Sequence, residues 1–191
     1  GGHINRIGFY TEVLAREMNL PRDFTETLSL TSLMHDIGKV GIPDNILLRP
    51  MALTPEEFKI MENHTIIGAR IFGNSEHPVL KMASTIALSH HERWNGGGYP
   101  HNLKGDRIPF EGRIVKICDQ YDALRSKRPY KPALTHEVSS KIITAGDGRT
   151  DPAHLDPDVL KAFIKVAPEF DRIFATHQSE YPSSAVPTCK Y

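Results

Sequence analysis

Seven side chains of metal-binding type recur at the ends or inner faces of separate helical patterns: His3, His35, Asp36, His64, His90, His91 and Asp119. Any one of them alone is more often a hydrogen-bonded core group than a ligand. The adjacent pair His35-Asp36 reads as the end of a helix. Neighbours there point about 100° apart, so they can hold one ion or reach a second but cannot chelate like an i, i+4 pair. The recurrence on five segments changes the balance. His64 and His90 fall on apolar helix sides, where an unpartnered imidazole would be costly to bury. Mixed imidazole and carboxylate donors suit Fe, Mn, Zn or Ni. The set exceeds the three or four protein ligands of a mononuclear catalytic site, so at least two divalent ions are expected.

Other chemistries find less support. No Ser-His-Asp or Cys-His arrangement stands out, and Cys118 and Cys189 make no disulfide framework, which points to a reducing, cytoplasmic setting. Lysine plus arginine and aspartate plus glutamate both number 23, so no basic field exists to hold long nucleic acid. An anionic substrate must then be small and captured by local cations. No apolar run approaches the roughly 18 residues of a membrane span, so no membrane contact is expected from this segment.

Apolar spacing defines the elements that carry these side chains: Ile4, Ile7, Leu14 and Met18 give a first amphipathic helix. Asp23 is expected to cap a second, with the stripe Leu30, Leu33, Met34 and Ile37, ending at Gly38. Thr54-Pro55-Glu56-Glu57 supplies cap, N1 proline and capping-box glutamate for a third running to Ile71. Pro78 opens a fourth, with Ala83, Ile86, Ala87 and His90 on one face. A glycine-rich loop from Trp94 to Pro100 follows. A fifth helix places Val115, Asp119 and Asp122 together, with Ile114, Ile117, Tyr121 and Leu124 mostly opposite. Shorter helices are expected over 135–145, 156–166 and 168–177. No period-2 segment appears, so the fold class is all-α: a single compact bundle of about seven to eight helices. It should span residues 1–178, with a loose tail at 179–191. The opening Gly1-Gly2-His3, without an initiator Met, reads as a cut from a longer protein with an N-terminal sensor or receiver domain.

The runs His35-Asp36-Ile37-Gly38-Lys39, His90-His91-Glu92-Arg93-Trp94, Gly98-Tyr99-Pro100, Asp119-Gln120-Tyr121-Asp122-Ala123-Leu124 and Arg128-Pro129-Tyr130-Lys131 occur in that order. Together they resemble the HD-GYP family, a branch of the HD superfamily of metal-dependent phosphohydrolases. The resemblance extends from His3 to Asp156-Pro157. It implies hydrolysis of cyclic di-GMP to pGpG or GMP in bacterial signalling. His3, His35, Asp36, His64, His90, His91 and Asp119 would be the metal ligands, with Asp36 bridging and acting in catalysis. Lys39 would face the scissile phosphate. Gly98, Tyr99 and Pro100 would form part of the substrate rim and a contact for GGDEF cyclases. Arg128 and Lys131 would grip the nucleotide phosphates. Asp122, grouped with the substrate residues, would support the site from behind the ligands. Two ions, most readily Fe, with Mn, Ni or Zn as alternatives, would lie roughly 3.5–4 Å apart and activate a water. Members with a third ion carry a glutamate one turn before the first histidine, a position that precedes Gly1. A homodimer is compatible with the resemblance.

Two other readings stay open: an idle cyclic di-GMP receptor or cyclase-docking module, and an HD phosphohydrolase acting on another nucleotide. The glycines at 96, 97 and 98 would let the backbone approach the ligand closely. Arg113 suits a carboxylate partner or the substrate equally. Trp94 reads as a packing anchor for the loop, and 125–128 as a solvated helix end. His77, His101, His136, His154 and His177 read as surface residues.

Overall fold

The computed structural model describes residues 2–126 and 133–177. Arg128, Lys131 and the 179–191 tail lie outside the described residues. Among the described residues, every regular element is helical: α1 (Gly2–Glu17), α2 (Arg22–Ser32), α3 (Asp44–Leu47), α4 (Pro55–Glu62), α5 (His64–Phe72), α6 (Pro78–Ser89), α7 (Phe110–Arg125), α8 (His136–Ala145) and α9 (Pro157–Thr176), with short 3-10 turns between them.

The core forms where α1, α7 and α9 meet. Tyr10 stacks on Phe170 at 4.3 Å, Tyr121 meets both edge-on, and Phe163 packs edge-on against Phe170. Ile7, Leu14, Leu28, Ile86, Ile114 and Ile117 complete this core without solvent exposure. The apolar stripe of α9 explains why it is one helix rather than the expected two. Val159, Phe163, Ala167 and Phe170 keep helical spacing straight across Pro168. Burying two phenylalanines, at about 1.5–3 kcal/mol each, offsets the roughly 3 kcal/mol of an internal proline.

Two other boundaries differ from the sequence reading. The Thr54 cap and its capping box with Glu57 are present, but the helix breaks at Asn63 into α4 and α5. α2 begins after Pro21 rather than at an Asp23 cap, and it stops at Ser32, short of the His35-Asp36 pair. Its core contact is Leu28, whereas Leu30 and Ile37 are largely exposed. From Thr31 onward the chain tightens into i→i−3 bonds, from Met34 N to Thr31 O through Lys39 N to Asp36 O, and continues as a 3-10 helix over Ile37–Gly41.

That 3-10 helix lies against α5 at a separation only glycine permits. A Cβ on Gly38 would stand 1.9 Å from the His64 carbonyl oxygen and 2.4 Å from Gly68 N. Gly68 in turn faces the Ala87 side chain of α6. Small residues thereby draw three segments together just where each supplies a site residue. Gly38→Ala should therefore destabilise the protein by about 2–3 kcal/mol, as overpacking against backbone does. Urea unfolding measures this, and a shift below about 0.5 kcal/mol would show that the contact yields freely.

Candidate metal centre

Asp36 occupies the centre of the site. It sits at φ −100°, ψ 8°, in the sparsely populated bridge region common among active-site residues, as the chain turns from α2 into the 3-10 helix. One carboxylate oxygen, Oδ1, faces His64 Nε2 at 3.4 Å and His90 Nε2 at 3.8 Å. The other, Oδ2, faces His35 Nε2 at 3.5 Å and also receives Lys39 Nζ at 2.5 Å. Asp119 Oδ1, from α7, stands 3.8 Å from both His3 Nε2 and His35 Nε2. The donors form two groups, Asp36 with His64, His90 and His91, and His3 with His35 and Asp119. Asp36 lies between them. All seven residues singled out from the sequence converge here.

Hydrogen bonds at the far side of each ring fix which nitrogen is free. His35 Nδ1 donates to the Ser32 carbonyl at 2.8 Å, His64 Nδ1 to the Met61 carbonyl at 2.7 Å, and His90 Nδ1 to the Ile86 carbonyl at 3.0 Å. His3 Nδ1 donates to Asp122 at 2.7 Å. An imidazole that donates through Nδ1 turns a bare Nε2 lone pair inward, the tautomer metal-binding histidines adopt. Nε2 of His35, His64 and His90 and Oδ1 of Asp36 are buried with no hydrogen-bond partner. Such orphaned groups would cost about 1–3 kcal/mol each if left alone, so the donor set fits divalent cations.

Protonation favours the same reading. Burial lowers the pKa of His35 and brings His64 to about 4, and it holds His91 well below the usual range. Burial would raise Asp36, but the surrounding His90, His35 and Lys39 outweigh it and hold the carboxyl well below its ordinary value. Neutral His35, His64 and His91 beside an ionised Asp36 are in the ligand-competent state.

Asp122 is fully buried behind His3. Its oxygens take Arg6 Nε at 2.5 Å and Arg6 Nη2 at 2.8 Å as well as the His3 proton, and Tyr10 OH donates at 3.3 Å. Burial would raise its pKa, yet the hydrogen bonds from Arg6 and His3 bring it to about 2. It therefore orients His3 from behind. Arg6 was not singled out from the sequence, where it looks like one more polar residue on α1. Its role becomes visible only when α7 lies against that helix.

The glycine-rich loop closes one side. Tyr99 stacks on His91 at 4.7 Å, and the Tyr99–Pro100 peptide bond is cis. Gly98 is needed for the chain's own backbone rather than for a ligand: a Cβ there would lie 2.2 Å from Arg93 N and 2.4 Å from Glu92 Cα. Glu92, also not anticipated, is buried and accepts from His101 N at 2.7 Å and Leu103 N at 2.9 Å, tying the loop down. Arg113 pairs with Asp156 and Asp106 and covers Trp94, which serves as the expected packing anchor. Arg125 is no solvated helix end but a largely buried partner of Asp171. His136 meets the Tyr121 hydroxyl at 2.8 Å, His154 joins a capping box with Asp151, and His177 stacks on Phe9, whereas His77 and His101 are exposed.

Residues 2–154 match the family described as HD domain. The chain belongs to that family. Among relatives of this HD domain, a cyclic di-GMP phosphodiesterase of Thermotoga maritima is 42% identical over 93% of the chain and 47% of its own length. A 3′3′-cGAMP-specific phosphodiesterase 2 of Vibrio cholerae is 38% identical over 92% of the chain and 33% of its own length. The chain thus spans less than half of these relatives. A solved HDG"Y"P protein from Bdellovibrio bacteriovorus shares the fold, with a TM-score of 0.66, 20% identity and coverage of 91% of this chain and 51% of that one. No helix among the described residues is long and apolar enough to cross a membrane.

Proposed function

We propose that this HD domain is a metal-dependent phosphodiesterase of the HD-GYP type that hydrolyses cyclic di-GMP in the bacterial cytoplasm. The observation that carries the reading is the convergence of three bare Nε2 atoms and Asp36 Oδ1, all buried and unpartnered. Asp36, His64, His90 and His91 would hold one divalent ion, and His3, His35 and Asp119 a second, with Asp36 shared. Iron is the proposed metal, with Mn, Ni and Zn as alternatives compatible with mixed donors. When bound, such ions supply Lewis acidity for a phosphoryl group and an acidified water.

The chain's own residues do the rest. Lys39, partly exposed beside Asp36, holds a positive charge where the scissile phosphate gains negative charge. Tyr99 and Pro100 form the rim, with Gly98 shaping their approach and with GGDEF cyclases as candidate partners at this edge. Arg128 and Lys131 are assigned to the nucleotide phosphates. The 3′3′-cGAMP-specific relative supports a second reading, cleavage of the mixed dinucleotide. Chromatography of products after incubation with each dinucleotide separates the two: release of pGpG or GMP from cyclic di-GMP is expected, and turnover of 3′3′-cGAMP alone would favour the second.

A ligand and a core histidine respond differently to truncation. His64→Ala should lower metal affinity by at least about 10–100-fold, as loss of even a supporting partner does. The metal-free protein should lose little stability, because the orphaned Nε2 disappears with the ring. Unchanged metal content, with apo and holo forms destabilised alike, would make His64 structural.

A further inference from the structure

Next to the metal centre lies a cavity that phosphodiester cleavage itself does not require. The segment from α3 into α4 borders a half-open cavity of about 500 Å³, with Ile46, Met51, Leu53, Phe58 and Met61 among its walls. Arg49 is the one charged side chain that lines it. The cavity adjoins the cluster directly. Phe58 meets Tyr99 edge-on at 5.9 Å, Tyr99 stacks on His91, and the Met61 carbonyl takes the His64 Nδ1 proton. One aromatic ring separates it from the ligands.

Arg49 is half-buried and held through Nη1 by Glu57. The other Glu57 oxygen accepts from Thr54 N at 2.9 Å, so the pair is fixed to the capping box of α4. Nε and Nη2 of Arg49 have no protein partner among the described residues. Because Glu57 already neutralises the guanidinium, a free phosphate is a poor occupant. Aromatic and methionine walls suit a flat heterocycle. An arginine fork selects among heterocycles by their acceptors: guanine presents O6 and N7 side by side, whereas adenine pairs N7 with an N6 donor that arginine cannot serve.

We propose that this cavity receives one guanine base of the substrate, with Arg49 reading its O6–N7 edge, and that it sets a preference for guanine over adenine nucleotides. The inference rests on the phosphodiesterase reading of the adjoining cluster and extends it to the base.

Calorimetric binding of 5′-GMP and 5′-AMP to the metal-loaded protein tests it. Wild type should bind GMP about 10-fold or more tightly than AMP, the discrimination of one bidentate base contact. Arg49→Met should bring that ratio close to one by weakening GMP, with AMP affinity and metal content retained. Arg49→Lys should recover only part of it, since it keeps the charge and loses the fork. Equal affinities in wild type would overturn the proposal, as would an Arg49→Met that weakens both nucleotides alike. If Arg49→Met folds poorly, the partial loss of the GMP preference in Arg49→Lys carries the assignment to this cavity, and an unchanged preference there would overturn it. Neither mononucleotide contains a phosphodiester, so the result is independent of cyclic di-GMP turnover. Selective GMP binding by a protein that leaves cyclic di-GMP intact would retain the base site and remove the proposed activity.

Discussion

Asp36→Ala should lose metal and activity together, with content falling from two ions per chain to one or fewer and turnover of cyclic di-GMP dropping about 10³-fold or more. The expectation follows from position. Oδ1 faces His64 and His90 while Oδ2 faces His35, so one carboxylate serves both donor groups. Truncation removes a ligand from each and leaves three bare imidazole nitrogens facing one another. Elemental analysis and steady-state kinetics on the same preparation measure both effects. A variant that keeps two ions and turns over normally would show that the His35-Asp36 pair is not part of a metal centre.

Lys39→Ala should fall mainly in kcat, by about 10²–10³, the loss seen when one preorganised charge-stabilising donor is removed. KM should move little, because the interaction is stronger in the transition state than in the bound substrate. The metals should stay, since Lys39 contributes a charge beside Asp36 and no ligand atom. A drop in metal content instead would reassign Lys39 to orienting the Asp36 carboxylate.

How far the site could be read from the sequence follows from what each signal measures. His64 and His90 were legible because a histidine on an apolar helix side breaks the pattern, and both are buried as that pattern implies. The capping box at Thr54 was legible because its chemistry is local. The end of α2 was not. Leu33, Met34 and Ile37 continue a helical spacing, but the tertiary contact of Gly38 with α5 imposes a 3-10 turn there. Pro168 looked like a helix end because its penalty is local, whereas the burial of Phe163 and Phe170 that overrides it is not. Arg6 and Glu92 carried no signal for a related reason. Each is one polar residue among many until α7 or the glycine-rich loop closes upon it.

Activity followed as metal is restored tests the central claim most directly. Apo protein prepared with chelator and titrated anaerobically with ferrous iron should remain inactive on cyclic di-GMP until the ions bind. Turnover should then rise to its maximum as occupancy reaches two per chain, with linear or mononucleotide product appearing in step. Full activity in the chelated, metal-free protein, or intact cyclic di-GMP in the presence of two bound ions, would contradict it.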